Sequence, residues 1–149
     1  FNAAEKLTDL ANQDAQSVSA LKDEQERQEL LALLGIREGE RVSPSLRAQV
    51  RRLEEQQKRR AKRVSSDTLL RSVAQVQTVL RDALTVALSA QAPLVNEHLR
   101  EPLEAFCTRR SAQQLLEDVQ AVELTLRRLR TNANARLALE ALMSRFVYQ

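Results

Sequence analysis

Residues 132–149 read NANARLALEALMSRFVYQ, and this stretch predicts a helix that is apolar around most of its circumference. Asn134 is a good N-cap, because its side chain can accept a hydrogen bond from a backbone N–H that has no helical partner. Two apolar stripes follow this cap. The first stripe contains Leu137, Ala138, Ala141, Leu142 and Phe146, and the second contains Leu139, Met143 and Val147. A helix of this kind belongs inside a helical bundle or between subunits.

The composition of the whole chain indicates an all-α protein. Its 149 residues include only two glycines and three prolines, too few for the turns of a sheet protein. Apolar residues make up 43% and charged residues 29%, a balance that suits one folded domain or one bundle with an extension. We therefore predict an all-α helical bundle with a long N-terminal helical arm or hairpin.

Start and stop signals divide the chain into six predicted helices. The first helix covers residues 2–34 and ends at Gly35, which can adopt the left-handed conformation of a C-cap. The pair Ser43-Pro44 starts the second helix, and the run Ser65-Ser66-Asp67 is predicted to cap a third. A short helix over 99–108, a helix from Ser111 to about residue 130, and the terminal helix complete the set. These signals predict a long acidic helix, a loop and a basic helix in residues 1–64, and a bundle in residues 65–149.

The residues that usually carry catalysis or bind metals are scarce in this sequence. It has one histidine and one cysteine, and its two glycines do not form a phosphate-binding loop. His98 lies in a polar turn, and Cys107 fits a small buried side chain. We predict no catalytic site, no metal site, no cofactor and no small-molecule substrate. A single cysteine and the lack of a long apolar run favour a reducing, cytoplasmic location without membrane contact.

A concentrated basic run follows a strongly acidic segment. Residues 1–40 contain four basic and nine acidic side chains, whereas residues 41–63 contain nine basic and two acidic ones. The run itself contains Lys58, Arg59, Arg60, Lys62 and Arg63. It could bind the DNA backbone. It has no aromatic residues on which bases could stack, so such binding would have no sequence preference. The favoured alternative is a solvated helix face, or one that pairs with the acidic first helix in an antiparallel hairpin.

The terminal helix is the predicted subunit interface. Its second stripe exceeds what one small bundle obviously buries, and exposed apolar area marks contact sites. The predicted interface residues are Leu137, Leu139, Leu142, Met143, Phe146 and Val147. The seam from Leu115 to Leu129, with apolar residues at steps of four and three, is expected to face inward. The chain opens on Phe1 rather than Met, so we expect it to be a fragment of a longer polypeptide.

Three stretches resemble the C-terminal region of the delta prime family of bacterial DNA polymerase III clamp-loader subunits, in its actinobacterial version. The first leads from the basic run into Leu80-Arg81-Asp82-Ala83-Leu84, the second is Leu94-Val95-Asn96, and the third is Asn132 to Leu142. The long acidic helix before them is similar to the actinobacterial version. The family usually has Pro where Ala135 stands, and Pro there would only pre-set the first helical turn.

The resemblance implies a collar domain that holds a clamp loader together and supports loading of the sliding clamp on DNA. Its implied partners are the gamma/tau and delta subunits, and the chain would be cytoplasmic and associated with the nucleoid. The arginine finger of the family would lie upstream, so no residue here inherits it. Two alternatives stay open: a nucleic-acid-binding module that uses the helix containing the basic run, and the equivalent domain of gamma/tau.

Overall fold

The computed structural model describes residues 2–36, 43–131 and 133–147. These residues form five α-helices and a short 3-10 helix, and the described part of the chain contains no strand. The α-helices are α1 (Asn2–Leu33), α2 (Pro44–Ala87), α3 (Arg100–Cys107), α4 (Ala112–Arg130) and α5 (Ala135–Val147), and the 3-10 helix Glu97–Leu99 precedes α3. The predicted all-α class is confirmed.

Local signals end the helices where the sequence indicates. Gly35 has φ +66° after α1, as the predicted C-cap requires. Its N–H donates to the carbonyl of Ala32 at 3.1 Å, and the N–H of Ile36 donates to Leu31 at 3.0 Å, which together form a Schellman motif. Ser111 and Gln114 exchange the two hydrogen bonds of the predicted capping box at the start of α4.

The predicted helix start at residues 65–67 is wrong, because α2 runs through these positions for 44 residues. The Ser65 hydroxyl does not cap a helix. It is buried and donates to Oδ1 of Asn12 in α1 at 2.6 Å. Neither Pro nor Gly interrupts this part of the sequence, so nothing forces a break. A serine whose side chain has a tertiary partner does not compete for the helix backbone.

The chain divides into two compact units, Asp9–Asp67 and Phe1–Thr8 with Thr68–Gln149. In the first, the parts of α1 and α2 form a hairpin whose hydrogen bonds run from Asn12 with Ser65 to Asp23 with Gln57. Because the partner number falls as the α1 number rises, the two helices are antiparallel. The domain boundary predicted at residues 64 and 65 stays a prediction.

Packing of the hairpin uses small residues of α1 rather than its leucines. Ala11 and Ala15 are buried, whereas Leu10, Val18 and Leu21 are exposed. The larger apolar residues Leu10, Val18 and Leu21 therefore do not form the packed face of α1. Alanine side chains let two helix backbones approach closely, so the helix turns its small residues inward.

The second unit holds most of the apolar core. Its buried apolar side chains come from all five α-helices and are Ala4, Leu69, Val73, Leu80, Ala83, Leu103, Leu115, Val122, Leu126, Leu129, Ala138, Leu139 and Leu142. Each fully buried leucine or valine stabilises the fold by about 1.5–3 kcal/mol relative to an exposed one. The inward position predicted for the α4 seam is observed, with Val119 only half-buried. This core positions α4 and α5, which carry the candidate surface.

Candidate functional site

The start of α5 is set by the predicted cap. Oδ1 of Asn134 accepts the N–H of Leu137 at 3.2 Å, and the carbonyl of Asn134 accepts the N–H of Ala138 at 3.0 Å. The side-chain bond satisfies a donor that the helix itself cannot pair, and the carbonyl bond is the first hydrogen bond of the helix. The cap therefore fixes where α5 begins.

The structure separates the six predicted interface residues by burial. Leu139 is 0% exposed and Leu142 is also buried, so both pack inside the chain. Leu137 is 62% exposed. Met143 and Phe146 are half-buried, and the side chain of Val147 lies outside the described residues. The expectation that the stripe beginning at Leu139 is surplus apolar surface is wrong for Leu139 itself, which lies in the core.

Exposed leucines also lie on α4. Leu116 and Leu124 are 41% and 42% exposed, next to neighbours in sequence that are buried. The inner side of α4 contributes Leu115, Val122 and Leu126 to the core. The two last helices thus have an apolar inner side and single leucines on their outer side, and a contact role for those leucines stays a prediction.

A buried carboxylate ties α4 to its neighbours. Asp118 is fully buried, and its Oδ2 accepts Nη1 of Arg110 at 2.5 Å. Its Oδ1 accepts Nε of Arg145 in α5 at 2.9 Å, and Nη2 of Arg145 donates to Glu117 at 2.9 Å. The hydrogen bond to Asp118 raises the pKa of Arg145. Buried charges are tolerated when they are paired and hydrogen-bonded, and here the pairing fixes the position of α5 against α4.

Two aromatic rings hold Arg110 in place. Its guanidinium carbon lies 5.6 Å from the ring centre of Phe106 and 5.8 Å from that of Phe146, within the range of cation–π contacts. Phe146 was predicted as an interface residue, and its ring already contacts Arg110 within the bundle. Any partner would meet only the part of this ring that stays accessible.

A second buried carboxylate fastens the segment that follows α2. Asp82 is fully buried and accepts the backbone N–H groups of Val95 at 3.0 Å and Asn96 at 2.7 Å. The Asn96 side-chain amide donates a third bond at 2.8 Å. Burial acts to raise the pKa of Asp82, but these hydrogen bonds outweigh it and hold the pKa below its ordinary value. Two of the stretches that carry the family resemblance therefore meet at this carboxylate.

One of the five predicted DNA contacts faces α1. Arg60 binds Asp23 and Glu26, with Nη1 2.9 Å from Oε1 of Glu26. The hydrogen bond from Arg60 lowers the pKa of Glu26, and the bond to Glu26 raises that of Arg60. The acidic and basic segments pair here as an antiparallel hairpin, one of the two arrangements in the favoured alternative for the basic run. Lys58, Arg59, Lys62 and Arg63 are exposed.

The side chains that could bind a metal are dispersed in the described residues. No group of three or more His, Cys, Asp or Glu side chains that could hold a metal ion occurs among them. His98 is exposed, and burial raises the pKa of the half-buried Cys107 thiol, which donates to the carbonyl of Ala83 at 3.2 Å. No described helix combines the length and the apolar character that crossing a membrane requires.

The buried carboxylates are the structural residues that the sequence analysis missed. Asp118 lies three residues after Leu115 and four before Val122, so it occupies the core side of α4. A charged residue at a core-facing position signals a buried ion pair. The signal for Asp82 is similar, because it lies between Leu80 and Ala83, which are both buried.

Comparisons with known proteins place these features in a family. No curated protein and no solved structure matches the chain. The family described as DNA polymerase III, delta subunit, C terminal, matches residues 18–147, which covers most of both compact units. With an all-α fold and a match over this much of its length, the chain belongs to this family, the C-terminal domains of DNA polymerase III delta subunits.

Proposed function

We propose that this chain is a collar domain, a non-catalytic region that joins clamp-loader subunits of DNA polymerase III. The observation that carries the proposal is the outer side of α4 and α5, where Leu116, Leu124 and Leu137 are exposed while their neighbours fill the core. Isolated exposed leucines are ordinary on a protein surface. Three of them on the last two helices of a domain from a DNA polymerase III subunit family favour a contact surface. The domain would work in the cytoplasm, near the nucleoid.

The ion-pair network supports this role, because a docking surface needs a fixed shape. Arg145 is held by Glu117 and Asp118, and Arg110 is held by Asp118 and two rings. These contacts fix α5 against α4, so Leu137 is presented by a rigid element. Preorganised surfaces bind more tightly because less conformational entropy is lost on association.

The matching family is named for the delta subunit. Within the clamp loader, we nevertheless assign the chain to the delta prime subunit of the actinobacterial type, with gamma/tau and delta as its partners. The order and spacing of the three resembling stretches support this assignment, and the Asp82–Asn96 contact gives two of them a joint structural role. The alternative is the equivalent domain of gamma/tau. The sequence upstream of Phe1 distinguishes the two, because a complete phosphate-binding loop there would favour gamma/tau.

The assembly role is tested by light scattering after size exclusion of the chain mixed with the delta and gamma/tau collar regions from the same cell. We expect a defined hetero-oligomer that Leu137→Glu abolishes. Val95→Glu is the matched control, because Val95 is 60% exposed but lies outside α4 and α5. Failure of the parent chain to co-elute would contradict the proposal, as would equal effects of the two substitutions. Leu139→Asp is unsuitable here, since a charge at that buried position would disrupt the fold.

A further inference from the structure

We propose that the outward side of α2 in the α1–α2 hairpin binds the phosphate backbone of double-stranded DNA. The surface, here called the basic face, consists of six exposed cations: Arg51, Arg52, Lys58, Arg59, Lys62 and Arg63. None of the six forms an ion pair or side-chain hydrogen bond with another residue of the described chain. The proposal is independent of the collar assembly proposed above.

The cations of the basic face form two regular rows. Arg51, Lys58 and Lys62 are separated by seven and four residues, and so are Arg52, Arg59 and Arg63. At 3.6 residues per turn, each row stays on one line along the helix, and the rows lie about 100° apart. Eleven residues rise about 16 Å, so each row presents its three charges along that length.

A third row with the same spacing explains why the basic face points away from α1. It contains Leu53, Arg60 and Val64, all half-buried. Arg60 is the one member with a charge, and Asp23 and Glu26 neutralise it. These two carboxylates of α1 therefore pair with the third row, and the cations of the first two rows stay exposed to solvent. Only Glu54 and Glu55 interrupt the basic face with negative charge.

The pattern fits a duplex better than a single strand or a protein. Double-stranded DNA carries one negative charge per roughly 1.7 Å of its axis with both strands counted, so a 16 Å length of duplex holds about nine phosphates, of which a row meets those on the near side. The face contains no aromatic side chain on which an unpaired base could stack. It also offers no large apolar side chain, and protein interfaces usually have an apolar centre. Cations alone suit a uniformly charged backbone and give no sequence preference.

The first measurement is the affinity of the full chain for a labelled duplex of about 20 base pairs at several salt concentrations, monitored by fluorescence anisotropy. If four to six cations replace counterions, the slope of log K against log salt will be about −4 to −5. Binding will then weaken by about 250-fold to 1,000-fold between about 0.05 and 0.2 M salt. A single strand of equal length should bind more weakly. A slope near −1, or equal binding of the single strand, would overturn the proposal.

Two charge-reversed variants locate the contact. Arg59→Glu with Lys62→Glu removes one cation from each row, and we expect an affinity loss of at least about 50-fold near 0.1 M salt. Lys22→Glu with Arg27→Glu is the matched control, because it changes the net charge equally on exposed positions of α1. The control should lose less than about a third of that effect. Equal losses would mean that net charge alone drives binding, which contradicts the proposal.

The competing partner, an acidic protein segment, is tested in the same assay. A poly-glutamate peptide with as many charges as the duplex should fail to displace the DNA at equal concentration. Displacement as effective as that by unlabelled duplex would overturn the DNA assignment in favour of an acidic protein. Circular dichroism of both variants should match the parent chain, since all four substituted side chains are exposed. Collar assembly through Leu137 is unaffected by any of these outcomes.

Discussion

Replacing Asp82 with alanine should destabilise the chain more than any exposed substitution in α2. The carboxylate accepts two backbone N–H groups, from Val95 and Asn96, and the Asn96 amide. Alanine leaves both backbone donors without their acceptor, at about 1–3 kcal/mol each, and removes the amide bond. We expect the free energy of unfolding to fall by about 3–5 kcal/mol, a large part of the total for a domain of this size.

The assay is urea denaturation of the full chain, monitored by the helical signal in circular dichroism. Asp82→Asn keeps an acceptor oxygen and should cost less than Asp82→Ala, about 1–2 kcal/mol. Asp67→Ala is the matched control, because Asp67 lies on the same helix but is exposed, and it should change stability by less than about 0.5 kcal/mol. A loss below about 1 kcal/mol for Asp82→Ala would refute the reasoning that this carboxylate fastens the segment after α2.

The contribution of Asp82 should also depend on pH in a defined direction. Because its pKa is lower in the folded chain, the carboxylate stabilises the fold at pH values above the pKa of an unfolded aspartate, about 3.9. That stabilisation is lost as the pH falls through the folded pKa. The stability difference between the parent and Asp82→Ala should therefore be constant near neutral pH and narrow below about pH 4. A difference that already narrows near pH 6 would contradict the assigned shift.

Two further predictions follow from burial and backbone conformation. Leu139→Ala should lower the free energy of unfolding by about 2–5 kcal/mol, whereas Leu137→Ala, at an exposed position of the same helix, should lower it by less than about 1 kcal/mol. Similar losses in urea denaturation would mean that the two side chains are equally buried. Ser89 has φ 51° in a Schellman motif after α2, so Ser89→Gly should raise the melting temperature, with a gain of about 0.5–1 kcal/mol. A lower melting temperature would contradict the strain assigned to Ser89.

Helix class and most helix ends could be predicted from the sequence because their causes are local. The cap at Asn134, the box at Ser111 and the left-handed Gly35 each act on backbone groups a few residues away. Such signals need no knowledge of the partner helix. The scarcity of glycine and proline similarly excluded a sheet protein before any contact was known.

The orientation of each helix required the tertiary structure. The two stripes of α5 look alike in sequence, and only packing in the folded chain makes Leu139 buried and Leu137 exposed. The hydrogen-bond partner of the Ser65 side chain is Asn12, which lies 53 residues away in the chain. The burial of Asp82 and Asp118 also required the tertiary structure, because a carboxylate is tolerated in the core only when donors from other segments reach it.

The basic run combines a property that the sequence determines with one that the tertiary structure determines. Its charge and spacing are properties of the sequence, and they predicted a strong electrostatic feature on one helix. Which cations stay available depended on where α1 packs, since Arg60 meets Asp23 and Glu26 while its neighbours remain exposed. Local hydrogen bonds and helical periodicity are encoded within a few residues, whereas burial and ion pairing depend on which segments meet in the folded chain.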